Sequence, residues 1–79
     1  MDNERKHVIE NAIIDNNRIL DDYGKKMTND QLMSLLDEQE KLFIELLTLE
    51  KALVERLNIK AGLFTLKKAK ESLKLGRRF

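Results

Sequence analysis

Hydrophobic residues recur at helical spacing in three segments of the chain. The longest of these segments runs from Thr28 to Leu57, where apolar residues occupy the first and fourth positions of successive heptads. A second apolar stripe runs beside the heptad positions, so we expect this central helix to be covered from two sides. With Leu32 as the first position of a heptad, the first and fourth positions are Leu32, Leu35, Gln39, Leu42, Leu46, Leu49, Leu53 and Arg56.

The start of the central helix carries a capping box. The Thr28 hydroxyl and the Gln31 side chain are three residues apart, the spacing at which each binds the other's backbone N–H. Met27 and Leu32 have the spacing of a hydrophobic staple. These features predict that the helix begins directly after Thr28.

Gln39 is a polar residue within the apolar heptad positions. We expect it to lie at the edge of the apolar arc, in contact with water. The alternative is a buried polar residue that fixes the register of the packed helices. In that case Asn16, which interrupts the stripe of the first segment, is its candidate partner.

The first segment, residues 3–23, is predicted to be a helix. Its main stripe is Val8, Ala12, Ile19 and Tyr23, with Ile9, Ile13 and Leu20 beside it. Gly24 is predicted to end it in a left-handed cap. The loop 24–27 is short, so this helix should fold back antiparallel on the central one.

The last helix is predicted over residues 60–75, with a break from the central helix at Asn58. The chain either turns there or continues as one long helix that needs a partner chain; the turn is favoured. The buried stripe should be Ile59, Leu63, Leu66, Ala69 and Leu73, with Phe64 and Leu75 on the other side. Gly76 is predicted to stop the helix and leave a basic tail, 76–79.

These patterns predict an all-α fold in one small domain of 79 residues. The expected architecture is an antiparallel helical hairpin or a three-helix bundle built on the central helix. A core this small favours an oligomer, and we expect a homodimer.

Composition argues against catalysis and against bound metals or cofactors. The chain has no Cys and only one His, so the usual zinc sites cannot form. Ser34 and Ser72 have no evident base beside them, and no glycine-rich phosphate loop occurs. No signal peptide and no long apolar run is visible, which favours a soluble, cytoplasmic protein.

Charge is distributed unevenly along the chain. Residues 1–57 hold 8 basic and 13 acidic residues, a net charge of −5, whereas residues 58–79 hold 7 basic and 1 acidic, a net charge of +6. An acidic body with a basic end attracts a polyanion, or the opposite end of another copy of the chain. The residues expected to bind a polyanion are Lys60, Lys67, Lys68, Lys70, Lys74, Arg77 and Arg78.

We therefore expect a non-enzymatic helical interaction module, a regulator or adaptor that binds another protein and self-associates. The alternative is a nucleic-acid-binding protein that uses residues 60–78. Membrane-surface binding by the same basic segment is the third and weakest expectation. The residues expected at a partner or oligomer interface are Leu35, Leu42, Phe43, Leu46, Leu49, Leu53 and Phe64.

Overall fold

The structure, a computed structural model, describes residues 2–77, and within this range all regular secondary structure is helical and no strand occurs. Helix α1 spans Asp2–Tyr23, α2 spans Asn29–Leu49 and α3 spans Leu53–Lys74, and a 3-10 turn at Gly24–Lys26 follows α1. Helix α2 packs against both α1 and α3. The all-α class is confirmed, and α2 is covered from two sides as its wide apolar arc predicts.

Both neighbours of α2 run antiparallel to it. Near the start of α1, Arg5 donates to both carboxylate oxygens of Glu45, at 2.8 and 2.7 Å. Further along α1, Asn16 reaches Gln39, which comes earlier in α2. Helix α3 follows the same rule, because its early residue Gly62 lies beside the Phe43 ring and its late residue Lys70 beside Asp37.

Two apolar clusters hold the helices together. One lies toward the end of α2 and contains Ile9, Ile13, Leu46 and Ile59, which come from all three helices. The other lies at the start of α2 and joins Leu32, Leu36 and Leu73, with Leu20 and Met27 packed against it. The predicted inner stripe of α3 is confirmed, since Leu63 packs on the first cluster and Leu66 and Ala69 on the second.

The buried face of α1 differs from the predicted stripe. Ile9, Ile13 and Asn16 are buried, whereas Val8 and Tyr23 are exposed. Ile9, Ile13, Asn16 and Leu20 are three or four residues apart and form an equally regular stripe about one residue along. The prediction centred the face on Val8 and Tyr23, whereas Ile9 and Ile13 are its buried residues. Asn16, which the prediction placed inside the stripe, is buried and has a buried partner.

That partner is Gln39, which is only 1% exposed. The Asn16 amide nitrogen donates to Gln39 Oε1 at 3.0 Å, and Gln39 Nε2 donates to Asn17 Oδ1 at 3.0 Å and to the Ile13 carbonyl at 3.4 Å. The expectation that Gln39 touches water is wrong, and the alternative pairing with Asn16 is confirmed. Burial is tolerated because every polar atom of the amide has a partner.

The predicted capping box at the start of α2 is confirmed. Gln31 N–H donates to the Thr28 hydroxyl at 3.1 Å, and Thr28 N–H donates to Gln31 Oε1 at 2.9 Å. Gly24 behaves differently from the prediction. Its φ is not positive, and it opens the 3-10 turn rather than a left-handed cap.

The break between the second and third helices lies at residues 50–52, so the predicted break at Asn58 is wrong. Asn58 is inside α3. Glu50 forms the turn: its Oε1 accepts from the N–H groups of Lys51 and Ala52, each at 3.1 Å. Arg56 then donates to the carbonyls of Leu47 at 2.7 Å and Glu50 at 3.1 Å, which satisfies the end of α2.

Gly76 ends α3 as predicted. Its φ is +77°, its N–H donates to the Leu73 carbonyl at 3.0 Å, and Arg77 N–H donates to the Ser72 carbonyl at 2.8 Å. These two bonds form a Schellman motif, which requires a left-handed residue at the glycine position.

Candidate functional site

The outer face of α3, opposite its packed face, carries exposed apolar residues in a heptad pattern. Leu57 and Phe64 are seven residues apart and are 56% and 63% exposed. Val54, Ala61, Lys68 and Leu75 form a second series at the same spacing, also exposed. We call the outer seam the set that occupies the first and fourth heptad positions: Val54, Leu57, Ala61, Phe64, Lys68, Glu71 and Leu75.

A row of lysines borders the outer seam on one side. Lys60, Lys67 and Lys74 are each seven residues apart and are all exposed, and neighbours in this row are about 10.5 Å apart along the helix axis. None of the three forms an ion pair with another residue of the range 2–77. We call these three residues the lysine row.

The other border of the outer seam is neutral. The corresponding positions there are Asn58, Thr65 and Ser72, which are small and uncharged. In heptad terms the lysine row occupies the g positions and the neutral residues the e positions, the two places that contact the flanks of a partner helix.

Two further lysines of α3 are engaged within the chain. Lys68 lies over the Phe64 ring, with its Nζ 5.4 Å from the ring centroid. Lys70 Nζ contacts Asp37 at 2.5 Å and Glu40 at 3.5 Å. The hydrogen bond between Asp37 and Lys70 raises the pKa of Lys70 above its ordinary value and lowers the pKa of Asp37 below its own.

The structure divides the residues predicted to bind a polyanion. Lys60, Lys67, Lys68, Lys74 and Arg77 are exposed. Lys70 has a side chain only 18% exposed and belongs to the contact between α2 and α3. Arg78 lies outside the described residues.

The residues predicted for a partner or oligomer interface fall into a buried or partly buried group and an exposed group. Leu35 and Leu46 are buried within the chain, and Leu42, Phe43 and Leu49 are partly buried and pack against the first cluster. Leu53 and Phe64 are exposed on α3. The apolar arc of α2 is therefore largely covered by this chain's own helices.

Val54 and Leu57 belong to the exposed set that sequence reasoning missed. Both belong to the second apolar stripe of the predicted central helix, which we expected to be covered, and both are more than half exposed. The heptads from Val54 to Leu75 are visible in the sequence once α3 is started at Leu53. A helix start at Lys60 hides them, because it cuts the series in two.

A partly apolar groove lies between α1 and α2. Ile19, Met27 and Leu35 line this open groove together with the polar residues Ser34 and Glu38. It is shorter than the outer seam and has no row of like charges. The outer seam is thus the longer of the two surfaces and the one that has a row of like charges beside it.

Other site types find no support within residues 2–77. Among the described residues, no three His, Cys, Asp or Glu side chains lie close enough together to hold a metal ion. None of the helices in that range has the length and apolar character needed to cross a membrane. His7 is an exposed side chain of α1, and its Nδ1 lies 3.6 Å from Glu10 Oε1.

Comparison of the chain with known protein families, with curated proteins and with solved structures finds no match.

Proposed function

We propose that this protein is a non-catalytic interaction module that binds another protein through the outer seam of α3. The observation that carries the proposal is the exposure of Leu57 and Phe64 within a regular heptad pattern, on a helix whose opposite face is already packed. Burying such residues against a partner helix removes apolar surface from water. A helix face that contacts only solvent gains no stability from exposed apolar residues at heptad spacing.

Self-association, the other expectation from the sequence, is tested on the same face. Because α1 and α3 cover most of the apolar arc of α2, a homodimer would use surfaces outside that arc. The outer seam is the longest such surface. Light scattering of the wild type and of the Leu57→Asp/Phe64→Asp double variant tests this use, with Ile14→Asp as the matched control at an exposed position of α1.

The partner is tested by photo-crosslinking from position 57, in the cells that make the protein. We expect an adduct with a polypeptide that, once purified, binds the wild type and does not bind Leu57→Asp/Phe64→Asp. A crosslinker at position 14, an exposed position of α1 that lies outside the outer seam, gives the background. Equal adducts from both positions, or none from position 57, would contradict the proposal.

Nucleic-acid binding is the second candidate, and the lysine row is the observation that favours it. Three exposed lysines on one face can contact phosphates, with an affinity that falls steeply as salt rises. This reading leaves the neighbouring Leu57 and Phe64 without a role, since a phosphate backbone does not cover apolar side chains. Binding of a DNA or RNA duplex that is lost in Lys60→Gln/Lys67→Gln/Lys74→Gln would support it.

Membrane-surface binding fits the outer face less well. An interfacial helix needs a continuous apolar face, and here Lys68 and Glu71 interrupt it. Co-sedimentation of the protein with anionic vesicles at low salt would support that third reading.

A further inference from the structure

The charges beside the outer seam indicate what kind of partner it accepts. Each helix of the chain has its own net charge: α1 holds 3 basic and 6 acidic residues, α2 holds 1 and 5, and α3 holds 6 and 2. The positive charge of the described chain is thus concentrated on α3. Part of it, the lysine row, lies along the flank of an apolar seam and forms no ion pair within residues 2–77.

We propose that the partner is an acidic amphipathic helix, which packs its apolar stripe on the outer seam and places carboxylates against the lysine row. This inference rests on the proposed function and adds the chemical class of the partner. In packed helix pairs, residues at the e and g positions meet across the seam and select the partner by charge. A helix with Glu or Asp on the flank that meets Lys60, Lys67 and Lys74 gains three attractive contacts.

A second copy of α3 is a poorer occupant of the same face. In an antiparallel pair of α3 helices the two lysine rows would face each other, so like charges would be opposed. In a parallel pair the lysines would face Asn58, Thr65 and Ser72, which offer no negative charge. Neither arrangement neutralises the row, whereas an acidic helix does.

The apolar half of the seam also sets the position of the partner. Val54, Leu57, Ala61 and Phe64 occupy four successive seam sites, and Lys68 and Glu71 follow them. The partner's apolar stripe should therefore lie on the first half of α3, and its acidic flank should extend along the whole row. About three heptads of helix, roughly 31 Å, are enough to span it.

Three designed peptides test the inference, each of three heptads with Leu at the a and d positions. They carry Glu, Gln or Lys at all e and g positions, and binding of each labelled peptide is followed by fluorescence anisotropy at low and high salt. We expect the Glu peptide to bind the wild type about tenfold more tightly than the Lys peptide, with the difference reduced at high salt. The Gln peptide should fall between them.

Charge reversal of the row gives the decisive comparison. Lys60→Glu/Lys67→Glu/Lys74→Glu should prefer the Lys peptide, and Leu57→Asp/Phe64→Asp should bind none of the three. The matched control is Lys25→Glu/Lys26→Glu/Lys41→Glu, which changes the net charge equally at exposed lysines away from the seam. Circular dichroism of each variant verifies that the helices are intact.

Several outcomes would overturn the inference. If the control triple variant loses the Glu peptide as completely as the row variant does, net charge and not the row selects the partner. If all three peptides bind equally and Leu57→Asp/Phe64→Asp binds none of them, the inference of an acidic partner is wrong. The proposed protein-binding role then still stands. If the wild type forms a dimer through the seam that the Glu peptide does not compete away, the occupant is a second copy. If no peptide binds, the outer seam is not a helix-binding face of the kind inferred.

Discussion

At the scale of single residues, the buried amide pair of Asn16 and Gln39 sets how α1 lies on α2. Apolar contacts alone tolerate small shifts of one helix along another, because any large side chain can fill a similar space. An amide inside the core has donors and acceptors that must be matched. The Asn16–Gln39 bond, extended by Asn17 and the Ile13 carbonyl, is satisfied in one register.

Replacing Gln39 alone should therefore be costly. Gln39→Leu leaves the buried Asn16 amide without its acceptor, and we expect it to lower the free energy of unfolding by about 1–3 kcal/mol. Urea denaturation followed by circular dichroism measures this. The Asn16→Leu/Gln39→Leu double variant should recover most of the loss, since no buried group is then unpaired. A double variant that loses as much as the two single variants together would show that the pair is not coupled.

Glu50 links α1 to the turn between α2 and α3 through one carboxylate. It is buried, contacts Lys6 Nζ at 2.5 Å and accepts from the N–H groups of Lys51 and Ala52 in that turn. The hydrogen bond from Lys6, with that from Ala52, lowers the pKa of Glu50 below its ordinary 4.5, and the same contact with Glu50 raises the pKa of Lys6 above 10.5. Both shifts favour the charged pair.

The sign of these shifts predicts how stability depends on pH. Because the pKa of Glu50 is lower in the folded state, its contribution is fully present above pH 4.5 and is lost as pH falls through the folded value. Because the pKa of Lys6 is higher in the folded state, its contribution is present below pH 10.5 and is lost as pH rises through its folded value.

Glu50→Gln should remove part of the acid sensitivity. We expect the stability difference between the wild type and Glu50→Gln to be constant near neutral pH and to shrink as the pH is lowered below 4.5. Thermal unfolding across this range provides the measurement. Glu38→Gln, at an exposed position of α2, is the control. A difference that stays constant down to the lowest pH would contradict the role given to the carboxylate.

At the scale of elements, the turn between α2 and α3 is fixed by side chains that lie on both sides of it. Arg56, one turn into α3, donates to two carbonyls at the end of α2. The cation also lies where the negative end of the α2 dipole is found. The direction of α3 thus depends on a contact that reaches back across the break.

Arg56→Met keeps much of the apolar stem and removes the two hydrogen bonds. We expect it to lower the free energy of unfolding by about 1–3 kcal/mol, because the last carbonyls of α2 lose a charged donor. Denaturant unfolding of Arg56→Met beside Arg18→Met, an exposed arginine of α1, gives the comparison. Equal stability of the two variants would mean that water replaces Arg56 at no cost.

At the scale of the whole molecule, the two apolar clusters are small, so single buried leucines matter. Leu46 is 7% exposed and belongs to the cluster that joins all three helices. Its buried neighbours in that cluster come from the other two helices, Ile9 and Ile13 from α1 and Ile59 from α3. A charge placed there has no partner and cannot reach water.

Leu46→Asp should therefore unfold the protein, with a loss above about 4 kcal/mol. Ile44→Asp, two residues away and 49% exposed, should leave the helices intact. Far-UV circular dichroism at ambient temperature distinguishes the two variants. A Leu46→Asp protein with the helicity of the wild type would show that the cluster is not the core of the fold.

The amino-acid sequence by itself determines the helical class, the capping box at Thr28, the inner stripe of α3 and the stop at Gly76, because each depends on residues within a turn or two of one another. The tertiary structure decides the rest. Gln39 is buried because Asn16 of α1 forms a hydrogen bond with it. Helix α2 ends at Leu49 because Glu50 and Arg56 form hydrogen bonds that stabilise the turn after it. The outer seam exists because α2 ends there and a separate helix, α3, begins at Leu53. The same leucine-rich pattern that reads as one long packed helix becomes, once the chain turns at residues 50–52, a new helix whose heptads from Val54 face outward.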